Sequence, residues 1–269
     1  MRGRLDALGL GGIAELNMLP PGVREEIYLR LVPDRLLAVL ALERRCLRSD
    51  GGDPLVRITA PDEASWARVE LRAAADDRDP ALLIDVGTSA FGVPELSLVQ
   101  INDPRSARFA IDRDEDGLDT LLGTVRRNEP EERRAMAAGL APGQVRPGLR
   151  MLGAVLESMD DFCRLLGQEF YLVDPLFYHS AILYERRACG YFLGRDRMEA
   201  IHQGFQAGGE LRRRLDDSSP FRRRGSEGTA RGRSWAIHDG VLDSPWDGVK
   251  MFRAPDAPVA ISTFPGGVY

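Results

Sequence analysis

The sequence predicts an α+β protein in which a mixed, largely antiparallel sheet is flanked by helices. Two observations carry this. Apolar residues change period along the chain, from helical steps before residue 50 to alternation after Leu55, and back to helical steps from Leu118. From Gln144 to Tyr191, helix, short apolar strand and helix signals follow one another, as in a crossover unit.

The 269 residues suffice for one or two domains with a core that needs no staples. Residues 1–50 read as an N-terminal helical segment and 51–269 as one α+β domain with an arginine-rich loop at about 216–233. The net charge of -5 selects no class of partner. The longest clean apolar run, Leu36 to Leu42, is far short of a membrane span, and Arg2, Arg4 and Asp6 interrupt any signal-peptide core, so a cytoplasmic protein is expected. Cys46, Cys163 and Cys189 lack paired spacing and read as reduced thiols. Lys250 is the sole lysine among many arginines, the mark of a G+C-rich bacterial-type genome, and its alternating context is that of a strand.

In chain order, Val23, Ile27 and Leu31 predict one helix, and Asp34 through Leu37, Leu40 and Ala41 a second. The connector from Ser49 to Asp53 precedes strands at Leu55–Thr59, Trp66–Arg72, Ala81–Gly87, Glu95–Asn102 and Arg108–Asp112, read as an antiparallel meander. Asp112 to Gly117 starts like a calcium loop but has Gly123 where the bidentate Glu belongs, leaving an acidic turn. Leu118–Val125 and Glu129–Leu140 read as helices, the second capped by Asn128. Leu149, Leu152, Val155, Leu156, Met159, Phe162, Cys163 and Leu166 line one helix face, with Pro147 at its first position and Gly167 at its end. The strand Phe170–Val173 follows, then a helix with Phe177, Ala181, Tyr184 and Ala188 on one face. Met198, Ile201, His202 and Phe205 mark another helix, and Glu210–Leu215 a shorter one. After the arginine-rich loop, Trp235–Ile237, Val249–Arg253 and Pro258–Phe264 read as strands.

The central third resembles the GNAT acyltransferase superfamily. Leu183-Tyr184-Glu185-Arg186 is similar to that family's L-Y-E-K run, and Arg146-Pro147-Gly148-Leu149 stands where its R-G-x-G turn would be. Phe177 replaces the family's Asn, and Ala188-Cys189 its Gly-Phe. The resemblance implies acyl transfer from acyl-CoA to a small-molecule or peptide amine acceptor. Arg146, Gly148, Leu149 and Arg150 would hold the pyrophosphate through backbone N–H groups, and Tyr184 would protonate the leaving thiolate. His179 is a candidate base only from the turn before its helix, because five residues of helix turn it about 140° from Tyr184. A second reading is a GNAT-shaped binding or interaction protein without catalysis. A third is a metal enzyme using His179, His202 and His238, though their spacing matches no ligand motif and no metal is expected. The arginines at 212–214 and 222–224, with Arg231 and Arg233, lack interleaved aromatics and have acidic neighbours, so they read as a solvated surface and not a nucleic-acid site.

Overall fold

The computed structural model describes residues 11–49 and 51–269. Arg2, Arg4, Asp6 and the connector residue Asp50 lie outside them. The fold is α+β, with a seven-stranded, mixed, mostly antiparallel open sheet and nine α-helices among the described residues. The chain divides into two compact units: one holds the residues up to Arg105, Gly148–Asp174 and Phe252–Pro258, the other Ser106–Pro147, Pro175–Met251 and Val259–Tyr269.

The first unit opens with helices α1 (Ile13–Asn17), α2 (Pro21–Tyr28) and α3 (Asp34–Val39). Alternation then does what it predicts. Strands β1 (Val56–Thr59), β2 (Trp66–Leu71), β3 (Leu82–Thr88) and β4 (Pro94–Ile101) form an antiparallel meander, in which Ala67, Val69 and Leu71 of β2 are buried. Helix α5 (Leu152–Leu165) buries Val155, Leu156, Met159, Phe162 and Cys163, and feeds β5 (Tyr171–Val173), which runs parallel to β4. This is the crossover that the apolar spacing predicts. Its helix begins five residues after Pro147, however, and the left-handed Arg150 (φ 58°) separates the two. Tyr28 stacks on Phe162 with centroids 5.9 Å apart and donates its hydroxyl to Asn17 at 2.6 Å, tying α1 and α2 to α5. Buried Asp160 takes two bonds from Arg253, at 2.8 and 2.7 Å, and one from the Tyr171 hydroxyl at 2.9 Å.

The second unit carries α4 (Glu129–Ala137), α6 (Tyr178–Glu185), β6 (Gly190–Leu193), α7 (Arg195–Gly204), α8 (Glu210–Arg213) and α9 (Ala230–His238). The chain passes from it back into the first along β7 (Lys250–Arg253). Asn128 caps α4 as expected, accepting from the Glu131 N–H.

Four expectations fail here. Arg108–Asp112 is not a strand: the Ala110 N–H goes to the Glu131 carboxylate at 2.9 Å, and the Phe109 N–H to the Val145 carbonyl at 2.8 Å. Leu118–Val125 is a turn in which Leu121 and Leu122 have positive φ and Thr120 gives its hydroxyl to the Ile111 carbonyl. Trp235–Ile237 is helical: Thr229 caps α9 by accepting from Gly232 at 2.9 Å, and three apolar residues fit a buried helix as well as a strand. Pro258–Phe264 forms no strand, and Thr263 instead donates its N–H and hydroxyl to Glu185. The strand at β6 was not foreseen, being short with Phe192 and Leu193 exposed.

Candidate functional site

In the first unit the feature with chemical potential is the point where β4 and β5 part. The two strands are in register for two residue pairs, Glu95 with Leu172 and Leu96 with Val173, and the Asp174 N–H makes the closing bond to the Leu96 carbonyl at 3.1 Å. Beyond it β4 continues through Ser97–Ile101 with no β5 partner. A register shift at Asp85/Val86, opposite Leu98 and Leu96, places Ser97 in a bulge that bends the strand there. These five residues lose the alternation seen earlier and are all half-buried. The result is a half-buried edge without a strand partner, a geometry to which an extended chain carrying amide groups can add.

The start of α5 is the second part of this site. Met151, its N-cap, makes no side-chain cap, and the first turn has no acidic residue, so the N–H groups of Leu152, Gly153 and Ala154 are without a capping side chain. Those donors and the helix dipole favour an anion.

The turn that the sequence offers for an anion, Arg146 to Arg150, lies ahead of the α5 start at Leu152. Gly148 is exposed, and an added Cβ would sit 3.1 Å from the Ile101 carbonyl, a tight contact with the end of β4. Leu149 is half-buried and Arg150 exposed, both ahead of the helix. Arg146 belongs to the other unit, where its guanidinium donates to the Ser106 carbonyl. Sequence reasoning missed Gly153, whose signal was the small pair Gly153-Ala154 directly after Met151-Leu152.

In the second unit Tyr184 and His179 both lie within α6, each 5 % exposed. His179 is therefore on the helix and not on the turn before it. Its Nδ1 is 2.9 Å from the Ser234 hydroxyl, and its ring stacks on Phe177 with centroids 5.7 Å apart. Burial, with lesser repulsion from Arg231 and His238, lowers its pKa to about 3, so the imidazole is neutral near pH 7.

The other two histidines have different partners. His202 stands 3.2 Å from an Arg233 nitrogen and bonds Gln206, and burial and the Arg233 charge hold its pKa below the usual value. His238 meets Glu132 at 3.0 Å. Among the described residues no group of three or more His, Cys, Asp or Glu side chains is placed to hold a metal ion.

His238 belongs to a network that the sequence did not signal. Arg127 gives two bonds to one Glu132 oxygen, at 2.8 and 2.6 Å, and a third to Asp239 at 2.7 Å. The other Asp239 oxygen accepts from Ser219 and Arg222, each at 2.8 Å. Burial opposes charge on Glu132, but the bonds from His238 and Arg127 outweigh it and hold its carboxyl below the ordinary range. All members are paired to one another, which makes the network a clamp rather than a reactive centre.

Among the described residues no helix is long and apolar enough to cross a membrane. No family model, curated protein or solved structure matches this chain.

Proposed function

We propose that the chain is a GNAT-like acyltransferase, moving an acyl group from acyl-CoA to an amine acceptor. The observation that carries this is the open β4 edge, five residues long, beside the uncapped start of α5. The pantetheine arm of CoA is an extended chain with two amides, which suits strand addition, and its pyrophosphate suits a helix N-terminus. Ser97–Ile101 would pair with the arm, and Leu152, Gly153 and Ala154 would hold the phosphates.

The reaction forms a C–N bond at the thioester carbonyl and breaks its C–S bond. The departing thiolate needs a proton and the attacking amine loses one, so the step balances; Tyr184 is named as the donor by the family resemblance alone. His179 is assigned no proton transfer, since it is buried, neutral and held by Ser234.

The near-complete burial of Tyr184 favours one second reading, a CoA-binding module without turnover. Calorimetry with CoA and acetyl-CoA tests binding, and Gly153→Glu tests its place. A carboxylate in the first turn suits the helix dipole, yet it repels pyrophosphate. CoA affinity should fall by about tenfold or more with the melting temperature kept, the size of a lost charge-assisted contact. No CoA binding by folded wild type at millimolar ligand overturns the acyltransferase and the binding module alike. Binding with no acyl transfer to any of a panel of amines leaves the module.

A further inference from the structure

The second unit contains a cavity of about 200 Å³ that the acyl-transfer reading does not use. Phe221, Trp235 and Tyr269 contribute aromatic lining. Arg223 and Arg231 line it as well, with the hydroxyl residues Ser226 and Thr229.

Charge accounting sets these two arginines apart. Their neighbours are spent: Arg212 pairs with Glu227 at 3.1 Å, Arg222 with Asp239 at 2.8 Å and Arg224 with Asp217 at 3.3 Å. Among the described residues Arg223 and Arg231 form no ion pair. Arg231 lies over the Tyr269 ring, 5.2 Å from its centroid, and its Nε is buried without a hydrogen-bond partner. The Ser226 hydroxyl is also buried without a partner. Two buried polar groups without partners therefore belong to residues that line one cavity, and leaving such groups unanswered is costly.

Size and shape narrow the ligand. The space is that of several water molecules, at about 30 Å³ each, so an inorganic anion would leave the aromatic walls uncovered. The close approach of α9 to the Ser226 carbonyl requires Gly232, since a Cβ there would collide with it, and this fixes Ser226 beside the first turn of the helix.

We infer that this cavity binds a small organic anion, with a carboxylate or phosphate head held by Arg231, Arg223 and Ser226 and a flat apolar body between Phe221, Trp235 and Tyr269. The site goes beyond the acyl-CoA reading and stands without it.

The test is calorimetry on the full chain with benzoate, phenyl phosphate and inorganic phosphate, for wild type, Ser226→Ala and Arg231→Gln, with a melting curve for each. Ser226→Ala removes an unpartnered hydroxyl, so the fold should keep or gain stability while affinity falls. At least one organic anion should bind saturably, with inorganic phosphate weaker by about tenfold or more. Each variant should weaken the organic anion by a similar factor, and the tighter of the two organic probes identifies the head group. The inference is overturned by no saturable binding of either organic anion, by inorganic phosphate binding as tightly, or by affinity unchanged in both variants.

Discussion

The two units satisfy their backbone polar groups in different ways. In the first, the meander β1 to β4 pairs N–H with C=O in continuous registers, and side chains alternate between faces. In the second, long stretches hand the same task to side chains. Asn128 donates to the Ala110 and Arg113 carbonyls at 3.2 and 2.7 Å, Trp235 to Leu140 at 2.8 Å, and Glu131 and Glu185 accept backbone N–H groups. A ladder spreads its stability over many equivalent bonds, whereas a side-chain clamp concentrates it in a few residues. The second unit should therefore be the more sensitive to single polar substitutions.

Glu132→Ala is the strongest way to break that contrast. It removes a 1 % exposed carboxylate and leaves Arg127 and His238 facing a cavity. Removing one partner of a buried pair costs about 3–5 kcal/mol. Denaturant midpoints should show a loss of that size, and hydrogen exchange should quicken at α4 and α9. A loss under about 1 kcal/mol, the range of exposed pairs, would mean that the clamp is not what holds this unit.

The same contrast explains which parts of the fold were legible in the sequence. Period-two alternation places β1 to β4 within a residue or two, and the α5 to β5 crossover follows from three- and four-residue spacing. No period announces a segment held by Asn128 or Thr120, because the decisive bonds join residues distant in sequence through side chains. Trp235-Ala236-Ile237 is too short to separate a helix from a strand, and the Thr229 cap that settles the matter sits in an arginine-rich stretch read as loop. Arg233 illustrates the cost of judging by composition: read as solvated, it is 2 % exposed, over the Phe264 ring at 3.7 Å. The open edge of β4 was invisible for another reason, since it depends on where a three-residue partner stops.

Acid sharpens the comparison next. His179 belongs to the second unit and stays neutral in the folded state down to about pH 3, while an ordinary histidine titrates at 6.5. Between those values the unfolded state binds more protons, so stability falls as pH falls. By pH 5 the loss relative to pH 8 is about 2 kcal/mol. Glu132 adds loss of the same sign at lower pH, because its folded pKa lies below the ordinary glutamate value of 4.5 and its contribution disappears as the carboxylate is protonated. Denaturant midpoints from pH 8 to pH 5 should decline for wild type and be flatter for His179→Gln, each referred to its own value at pH 8. Equal slopes would place the titration elsewhere.

The smallest effect is expected where a first-unit ion pair imitates the clamp. Arg68 on β2 gives two bonds, each 2.6 Å, to Asp85 on β3, a geometry as good as that of Arg127 on its carboxylates. The difference is solvent: the Arg68 side chain is 42 % exposed, against 2 % for the Glu132 side chain. Water takes over a guanidinium that loses such a partner, and the pairs Ala67 with Val86 and Val69 with Ile84 continue on either side of it. Asp85→Ala should therefore cost at most about 1 kcal/mol, with a loss that shrinks as salt rises. A cost equal to that of Glu132→Ala would show that hydrogen-bond geometry, and not burial, sets the worth of these pairs, and the contrast between ladder and clamp would lose its physical basis.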